Sequence, residues 1–213
     1  MVEKDTVRRG YDRIADTYAA HRADNAIGNQ YVDQLLDRLP SDPIIVDAGC
    51  GGGEPVLAKI VPRSHAVGVD FSRGQLIRAQ STVPDAAIAL GDLTDLPIQA
   101  ETVDGVIAFW SMIHIPIDDH QAAIDEFSRI LRPGGWLLIQ EGTNAWQGRN
   151  PDWLDTGEEM QWHIAGAEVT TEQLAHSGFV LHGTWEVAET LEGDDADAED
   201  EDLPWTIWLA QRA

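Results

Sequence analysis

From Ile44 onward, short apolar runs alternate with amphipathic stretches. The runs Ile44–Ala48, Ala66–Phe71, Ala87–Leu90, Val103–Phe109 and Trp136–Gln140 are bounded by turn residues. Their length and near-continuous hydrophobicity predict strands buried on both faces, as in a parallel sheet. Between them, Pro55–Val61, Arg73–Ser81 and Asp119–Leu131 carry helical patterns. In the last of these, Ile124, Phe127, Ile130 and Leu131 recur at helical spacing, and Pro133-Gly134-Gly135 is expected to stop the helix. Strands alternating with helices predict βαβ units and a doubly wound α/β sheet. Ahead of this core, Lys4–Ala20 and Gln30–Leu39 read as two helices. Behind it, Glu168–Ser177 reads as a helix, and Phe179–Val187 and Trp205–Ala210 bring the strands to seven. Between those two strands, Glu192–Asp202 is acidic with Gly and Ala, a solvated loop by this reading. Without repeats or a clear linker, residues 1–213 read as one domain. Its parts are N-terminal helices (1–42), the alternating core (43–142), a small cap (143–167) and a closing helix with two strands (168–213).

Composition narrows the class. A chain of 213 residues buries roughly 70% of its unfolded surface and needs no staple. With 43% hydrophobic residues and eight Trp, it is too apolar for general disorder. No apolar run approaches the ~20 residues of a membrane span, and the first residues lack a signal peptide's apolar core. These features lead us to expect a soluble, cytoplasmic protein with no membrane partner. Cys50 is the single cysteine, which excludes an internal disulfide and a cysteine-based zinc cluster. The seven His are scattered without an i, i+4 pair, so no metal is expected.

Charge changes the picture further. There are 14 Lys+Arg against 37 Asp+Glu, a net charge of −23, and just two of the cations are Lys. Such an excess repels itself, unless concentrated salt shortens the Debye length to about 3 Å at 1 M. We read it as adaptation to a salty cytoplasm, the alternative being a single basic partner. The fold is then expected to melt in dilute buffer and recover in molar KCl; a salt-insensitive thermal midpoint would exclude this. The same acidity argues against a nucleic-acid substrate, which needs clustered Lys and Arg.

The chemistry begins at the end of the first run. Val46-Asp47-Ala48-Gly49-Cys50-Gly51-Gly52-Gly53-Glu54 is a strand, a glycine-rich turn and a helix start. Glycines there let main chain approach a ligand, and the helix start offers free N–H groups. Taken alone, such a turn also serves purely structural ends. A dinucleotide fingerprint counted from Gly49 needs glycine where Glu54 stands, facing a pyrophosphate, which argues against an NAD-type cofactor. Asp70, in Gly68-Val69-Asp70-Phe71-Ser72, ends the second run. An acid there is placed to take both hydroxyls of a ribose, or belongs to a helix cap. Asp92 follows the third run, so Asp47, Asp70 and Asp92 stand at three consecutive strand tips, the edge where such folds bind ligands.

Together these residues resemble the class I S-adenosylmethionine-dependent methyltransferases, most of all the small-molecule branch that includes ubiquinone/menaquinone-type methyltransferases. The resemblance runs from about Tyr11 to Gly142. It implies a Rossmann-like methyltransferase fold: a doubly wound, mostly parallel seven-stranded sheet with N-terminal helices and a small cap after strand five. The implied cofactor is S-adenosyl-L-methionine, leaving as S-adenosyl-L-homocysteine. By this resemblance the loop with Asp47, Gly49, Cys50, Gly51 and Gly53 passes under the cofactor's methionine part. Asp70, with Phe71 beside it, would hold the ribose hydroxyls; Asp92 would face the adenine amino group, and Leu93 the ring. Trp110-Ser111-Met112-Ile113-His114 would border the sulfonium and its methyl, and Leu131-Arg132-Pro133-Gly134-Gly135 matches the turn before strand five. Tyr11-Asp12-Arg13-Ile14-Ala15-Asp16-Thr17-Tyr18 is similar to an opening helix that closes over the cofactor, with Tyr18 and Arg22 capping its carboxylate. The cap is similar to uncharacterised members, so the resemblance does not identify the acceptor.

One departure excludes some acceptors. DNA and protein-amide members carry Asn/Asp-Pro-Pro-Tyr/Phe after strand four, where this chain reads Phe109-Trp110-Ser111-Met112. Asp118-Asp119 imitates part of a metal-binding carboxylate cluster but reads more simply as a helix N-cap pair.

In-line methyl transfer from a sulfonium needs chiefly alignment and dryness, worth up to roughly 7–11 kcal/mol. A general base is needed when the acceptor arrives protonated. His114 and His163 are the candidates, each with a plainer reading as a packing or surface histidine. Tyr18, Trp110, Trp146 and Trp162 would wall an apolar or aromatic acceptor, or would fill the core of the cap. The rival functions are a non-catalytic cofactor-binding sensor or partner subunit, and an NAD-type oxidoreductase.

Overall fold

In the computed structural model, which describes residues 2–21, 28–188 and 204–213, strands form where the apolar runs predict them. β1 (Ile44–Ala48), β2 (His65–Asp70), β3 (Ala87–Leu90), β4 (Val103–Ala108) and β5 (Leu131–Gly142) pair in parallel. The chain then makes a separate antiparallel hairpin, β6 (Trp146–Asn150) with β7 (Met160–Ile164). It returns through β8 (Phe179–Ala188) and β9 (Pro204–Arg212), which extend the sheet antiparallel to β5. The seven strands lie in the order β3-β2-β1-β4-β5-β9-β8. Between β1 and β4 the order reverses, and the crevice beyond the carboxyl ends of those strands is where ligands bind in doubly wound sheets.

Side-chain alternation decides which helix covers which face. Ile45, Ile107, Leu138, Ile207 and Leu209 pack with α2 (Asn29–Leu36) and α3 (Val56–Ile60) through Val32, Leu35, Leu57 and Ile60. Val46, Val106, Leu137, Ile139 and Trp208 pack with α5 (His120–Ile130) and α6 (Ala167–His176) through Ile124, Phe127 and Leu174. α4 (Arg73–Thr82) lies between β2 and β3 in sequence. α1 (Lys4–His21) lies over the strand tips, where Val7, Tyr11 and Ile14 pack on Trp153 and Met160.

Two expectations change. α5 stops at Ile130, before the Pro-Gly-Gly turn, and Leu131 already pairs with Val103 in the sheet. Its last carbonyls are taken by the N–H groups of Glu101 (to Arg129, 3.0 Å) and Thr102 (to Ile130, 3.0 Å), and Pro133 disfavours helix at Arg132. The small cap takes the form of a β-hairpin. Asp118 and Asp119 form a short 3-10 turn, and Asp119 makes no capping bond. The acidic stretch Glu192–Asp202 and Arg22 lie outside the described residues. Among the described residues, no helix is long and apolar enough to cross a membrane.

Candidate active site at the strand tips

The chain turns out of β1 on Gly49, whose φ of +86° suits glycine. A Cβ there would lie 2.2 Å from Cβ of Ser111, so the loops after β1 and β4 touch through a missing side chain. The N–H groups of Gly49 and Cys50 both donate to the Val69 carbonyl (2.7 and 3.0 Å), tying the loop to β2. Gly53, at φ +92°, lets the loop settle on α4, where a Cβ would meet Val83 at 2.9 Å.

Asp70 ends β2 and accepts from the Gly51 N–H (2.9 Å) and the Ser72 N–H (2.8 Å). Burial pushes its carboxyl up to about 6 despite those bonds, and the Asp12 carboxylate adds to the rise. Ser72 caps α4, its Oγ accepting from the Gln75 N–H (3.2 Å). Asp12 of α1 reaches the same helix start, accepting from Ser72 Oγ (2.9 Å) and the Gly74 N–H (3.1 Å).

Asp92 is differently held. Lys4 donates to both of its oxygens (3.2 and 3.0 Å), and Thr94 donates from N–H and Oγ1 (2.9 and 2.8 Å). Burial alone would raise the carboxyl; the Thr94 and Lys4 bonds outweigh it and leave it below its ordinary value. Lys4 also lies 3.5 Å from Asp119, which explains where that acid's side chain went.

Beyond β4, Trp110 sits in the left-handed region at φ +59°, its ring 4.1 Å from that of Trp205 on β9. A tryptophan in that conformation is strained, a feature that collects at functional sites. Buried His114 bonds Gln161 O through Nδ1 (2.9 Å) and the Tyr11 hydroxyl through Nε2 (2.9 Å). A carbonyl only accepts, so Nδ1 carries the proton and Nε2 accepts from Tyr11. Burial pulls the imidazole down to about 4, against the small rise from Gln161. His114 is therefore neutral with its lone pair engaged, a poor arrangement for a base facing an acceptor.

These elements enclose one cavity. Gly49, Gly51, Asp70, Phe71, Asp92, Leu93, Trp110, Ser111, His114 and Tyr18 all line it, as the sequence expects. Asp47 does not: it is buried one residue before the end of β1, on the Ile45 side of the sheet, opposite Gly68 and Ile107. Nor does buried Cys50, whose sulfur packs on Gly68 and whose thiol is pushed far up by burial; Gly53 supports the loop from behind. His163 lines a different groove, with Arg149 and Glu3, and accepts from the Ile117 N–H at 3.3 Å. Trp162 sits behind His114 (ring centroids 6.2 Å) and against Trp153 (5.7 Å), while Trp146 is half-exposed. Neither Trp146 nor Trp162 lines the cavity; Trp162 lines the outer groove beside His163.

Lys4, Tyr11 and Gln75 also line the cavity and escaped the sequence reading. Lys4, Tyr11 and Tyr18 are spaced by seven, one face of α1, so Tyr18 alone could have pointed to the other two. Two of the lining side chains hold buried polar atoms without a partner: Ser111 Oγ, and both ends of the Gln75 amide.

Comparison with known proteins agrees with this layout. A protein family described as a methyltransferase domain matches residues 46–139. The chain is 30% identical over 152 residues to a demethylmenaquinone methyltransferase of Symbiobacterium thermophilum, covering 64% of the chain and 59% of that relative. It is 32% identical over 139 residues to a tRNA (carboxymethyluridine(34)-5-O)-methyltransferase of Arabidopsis thaliana, covering 65% and 33%. Thus the chain spans from a third to three fifths of the length of these curated relatives. A solved S-adenosylmethionine-dependent methyltransferase from Methanosarcina mazei shares the fold, with TM-score 0.69 at 17% identity over 83% of this chain and 95% of that one.

Proposed function

This chain belongs to the class I S-adenosylmethionine-dependent methyltransferase family, and on that premise we propose that its strand-tip cavity holds S-adenosylmethionine and presents the methyl group to a small-molecule acceptor. The observation that carries the reading is the polar corner of the cavity. Gly49 and Gly51 expose main chain there, and the Ser111 hydroxyl and Gln75 amide are buried without partners. Buried polar groups are nearly always hydrogen-bonded, so unpaired ones around a glycine cradle fit a polar ligand that completes them.

S-adenosylmethionine supplies a methyl on a positively charged sulfur that is already a good leaving group. The chain's part is to bind, orient and keep water out. Asp70 faces the sugar hydroxyls, Leu93 borders the base, and Gly49 with Ser111 lies along the amino-acid part. Asp92 reaches the base edge with its charge already balanced by Lys4. Tyr11, Tyr18, Phe109 and Trp110 give the acceptor side an aromatic lining, and Lys4, the cavity's lysine or arginine among the described residues, is engaged by Asp92 on the base side. Such a lining favours a neutral, apolar or aromatic acceptor over one with an exposed phosphate, which is why we read a small molecule rather than tRNA. His114 acts through Tyr11, holding that ring against the acceptor side, and the transfer needs no base from this chain. His163, in the outer groove, has no part in the step.

A second reading is a cofactor-binding sensor or partner subunit, favoured by the engaged, neutral His114. Calorimetry with S-adenosylmethionine, S-adenosylhomocysteine and NAD tests the ligand, and transfer of labelled methyl into a metabolite extract separates the two readings. Binding of both adenosyl compounds with labelled product is the expected result. Binding without any labelled product favours the sensor, and NAD binding alone overturns both.

A further inference from the structure

Tyr11 and His114 both line the cavity, so the hydrogen bond between them lies in its wall. Every polar hydrogen of that pair has a fixed direction. The Gln161 carbonyl only accepts, so His114 Nδ1 donates to it (2.9 Å) and Nε2 keeps a lone pair. That lone pair takes the Tyr11 O–H at 2.9 Å. Burial lowers the imidazole from 6.5 to about 4, so at neutral pH Nε2 carries no proton that would reverse the order. The Tyr11 ring is itself held edge-on by Tyr18 and Trp153, at 5.2 and 5.8 Å between centroids.

The consequence is chemical. The pair has two hydrogens on polar atoms, and both are committed inside the wall. Tyr11 therefore meets a molecule in the cavity with an oxygen that accepts and does not donate. Lys4, on the same face of α1, donates to Asp92 and Thr94 instead and lies 3.5 Å from Asp119. A carbonyl, ether, carboxylate or phosphate oxygen placed at Tyr11 would set lone pair against lone pair. A hydroxyl or an amine N–H would donate to it. Around that point the Tyr18, Phe109 and Trp110 rings suit a flat apolar body.

We propose that Tyr11 is a specificity-determining residue that accepts a hydrogen bond from the methyl acceptor, so that the site selects a ring-sized molecule carrying a hydroxyl or amine N–H over one whose oxygens bear no hydrogen. This deepens the small-molecule reading above and rests on it. His114 is a positioning residue: it acts by setting the direction of the Tyr11 hydroxyl.

The test uses the full chain saturated with S-adenosylhomocysteine and two ring probes, phenol, which donates, and anisole, which only accepts. Affinities are read by ligand-observed NMR. Wild type is expected to bind phenol about fivefold more tightly than anisole, the scale of one neutral hydrogen bond. Tyr11→Phe keeps the ring and should bring the ratio close to unity by weakening phenol alone. His114→Leu releases the Tyr11 hydroxyl to donate and should reach the same ratio from the other side, by strengthening anisole. Either variant serves if the other does not fold. Weakening of both probes in parallel would mean that the pair only packs, and overturns the proposal. So does a phenol preference that survives in the variants, or wild type binding anisole as well as phenol. If S-adenosylhomocysteine does not bind, the cofactor reading falls and this proposal with it. If it binds and neither probe does, the cofactor reading stands and this proposal alone falls.

Discussion

Across the cavity two walls face each other, built of different material. One is the tips of β1, β2 and β4: left-handed glycine, main-chain N–H groups, a buried carboxyl, and polar side chains left unpaired at Gln75 and Ser111. Opposite stand α1 and the Met112–His114 turn, made of rings and backed by the hairpin. There Tyr11 packs edge-on to Tyr18 and Trp153 (5.2 and 5.8 Å), and the chain from Tyr11 through His114 to Gln161 is fully hydrogen-bonded. The contrast teaches where to look for each ligand. Unsatisfied buried polar atoms mark a surface completed by a polar molecule. A satisfied aromatic surface contributes shape and dryness and responds to mutation through packing.

The comparison breaks most visibly at Gly49. Gly49→Ala forces a Cβ onto Ser111 and places alanine at positive φ, so a loss on the order of 3 kcal/mol is expected in urea denaturation. S-adenosylhomocysteine binding should disappear with it. Unchanged binding would mean that the ligand does not use this wall. Trp162→Ala is the counterpart on the ring side. Its half-buried indole supports His114 and Trp153, and about 2 kcal/mol of stability should be lost. Acceptor binding should then weaken several-fold while cofactor affinity holds; equal losses for both would erase the distinction between the walls.

Tyr11→Phe is gentler, removing the donor to His114 Nε2 at about 1–2 kcal/mol. Without that donor, protonation of Nε2 is less opposed, so His114 should titrate above its present value of about 4 in an NMR pH series. An unshifted titration would show that Tyr11 does not hold the imidazole.

Acidity sharpens the contrast most subtly. Asp70 is raised from 3.8 to about 6, so its contribution to the ligand-free fold is full below 3.8 and lost as pH rises through about 6. The buried imidazoles of His114 and His120 are lowered from 6.5 to about 4, so theirs is present above 6.5 and lost as pH falls towards 4. A sugar hydroxyl donates more strongly to the carboxylate than to the carbonyl oxygen of the protonated acid. Cofactor affinity should therefore fall as pH drops through about 6, and Asp70→Asn should flatten that profile at a lower affinity. A wild-type affinity constant from pH 7 to 5 would contradict the role given to Asp70.

The main-chain wall was legible because it leaves a local signature. A strand, a glycine turn and an acid at the next strand tip specify geometry within a few residues, and Gly49, Gly51, Asp70 and Asp92 follow from it. Asp47 stands at the same strand tip without lining the cavity. Strand periodicity turned its side chain into the sheet, a detail that proximity to the tip conceals. The ring wall was less legible because rings fill cores and pockets alike. At Trp146 and Trp162 an acceptor wall and the core of a cap call for the same residues; Trp162 packs on His114 and Trp153, while Trp146 is half-exposed. Gln75 carried no signal, since a polar residue in the first turn of an amphipathic helix normally faces water. Tyr11 and Lys4 had one in their spacing of seven from Tyr18.

The most direct test of the account is an amide NMR titration of the chain with S-adenosylhomocysteine. The account predicts saturable shifts at Gly49, Gly51, Asp70 and Gln75, with the Trp162 indole nearly unmoved. Shifts confined to Trp162 and the hairpin, or no shifts at all, would contradict it.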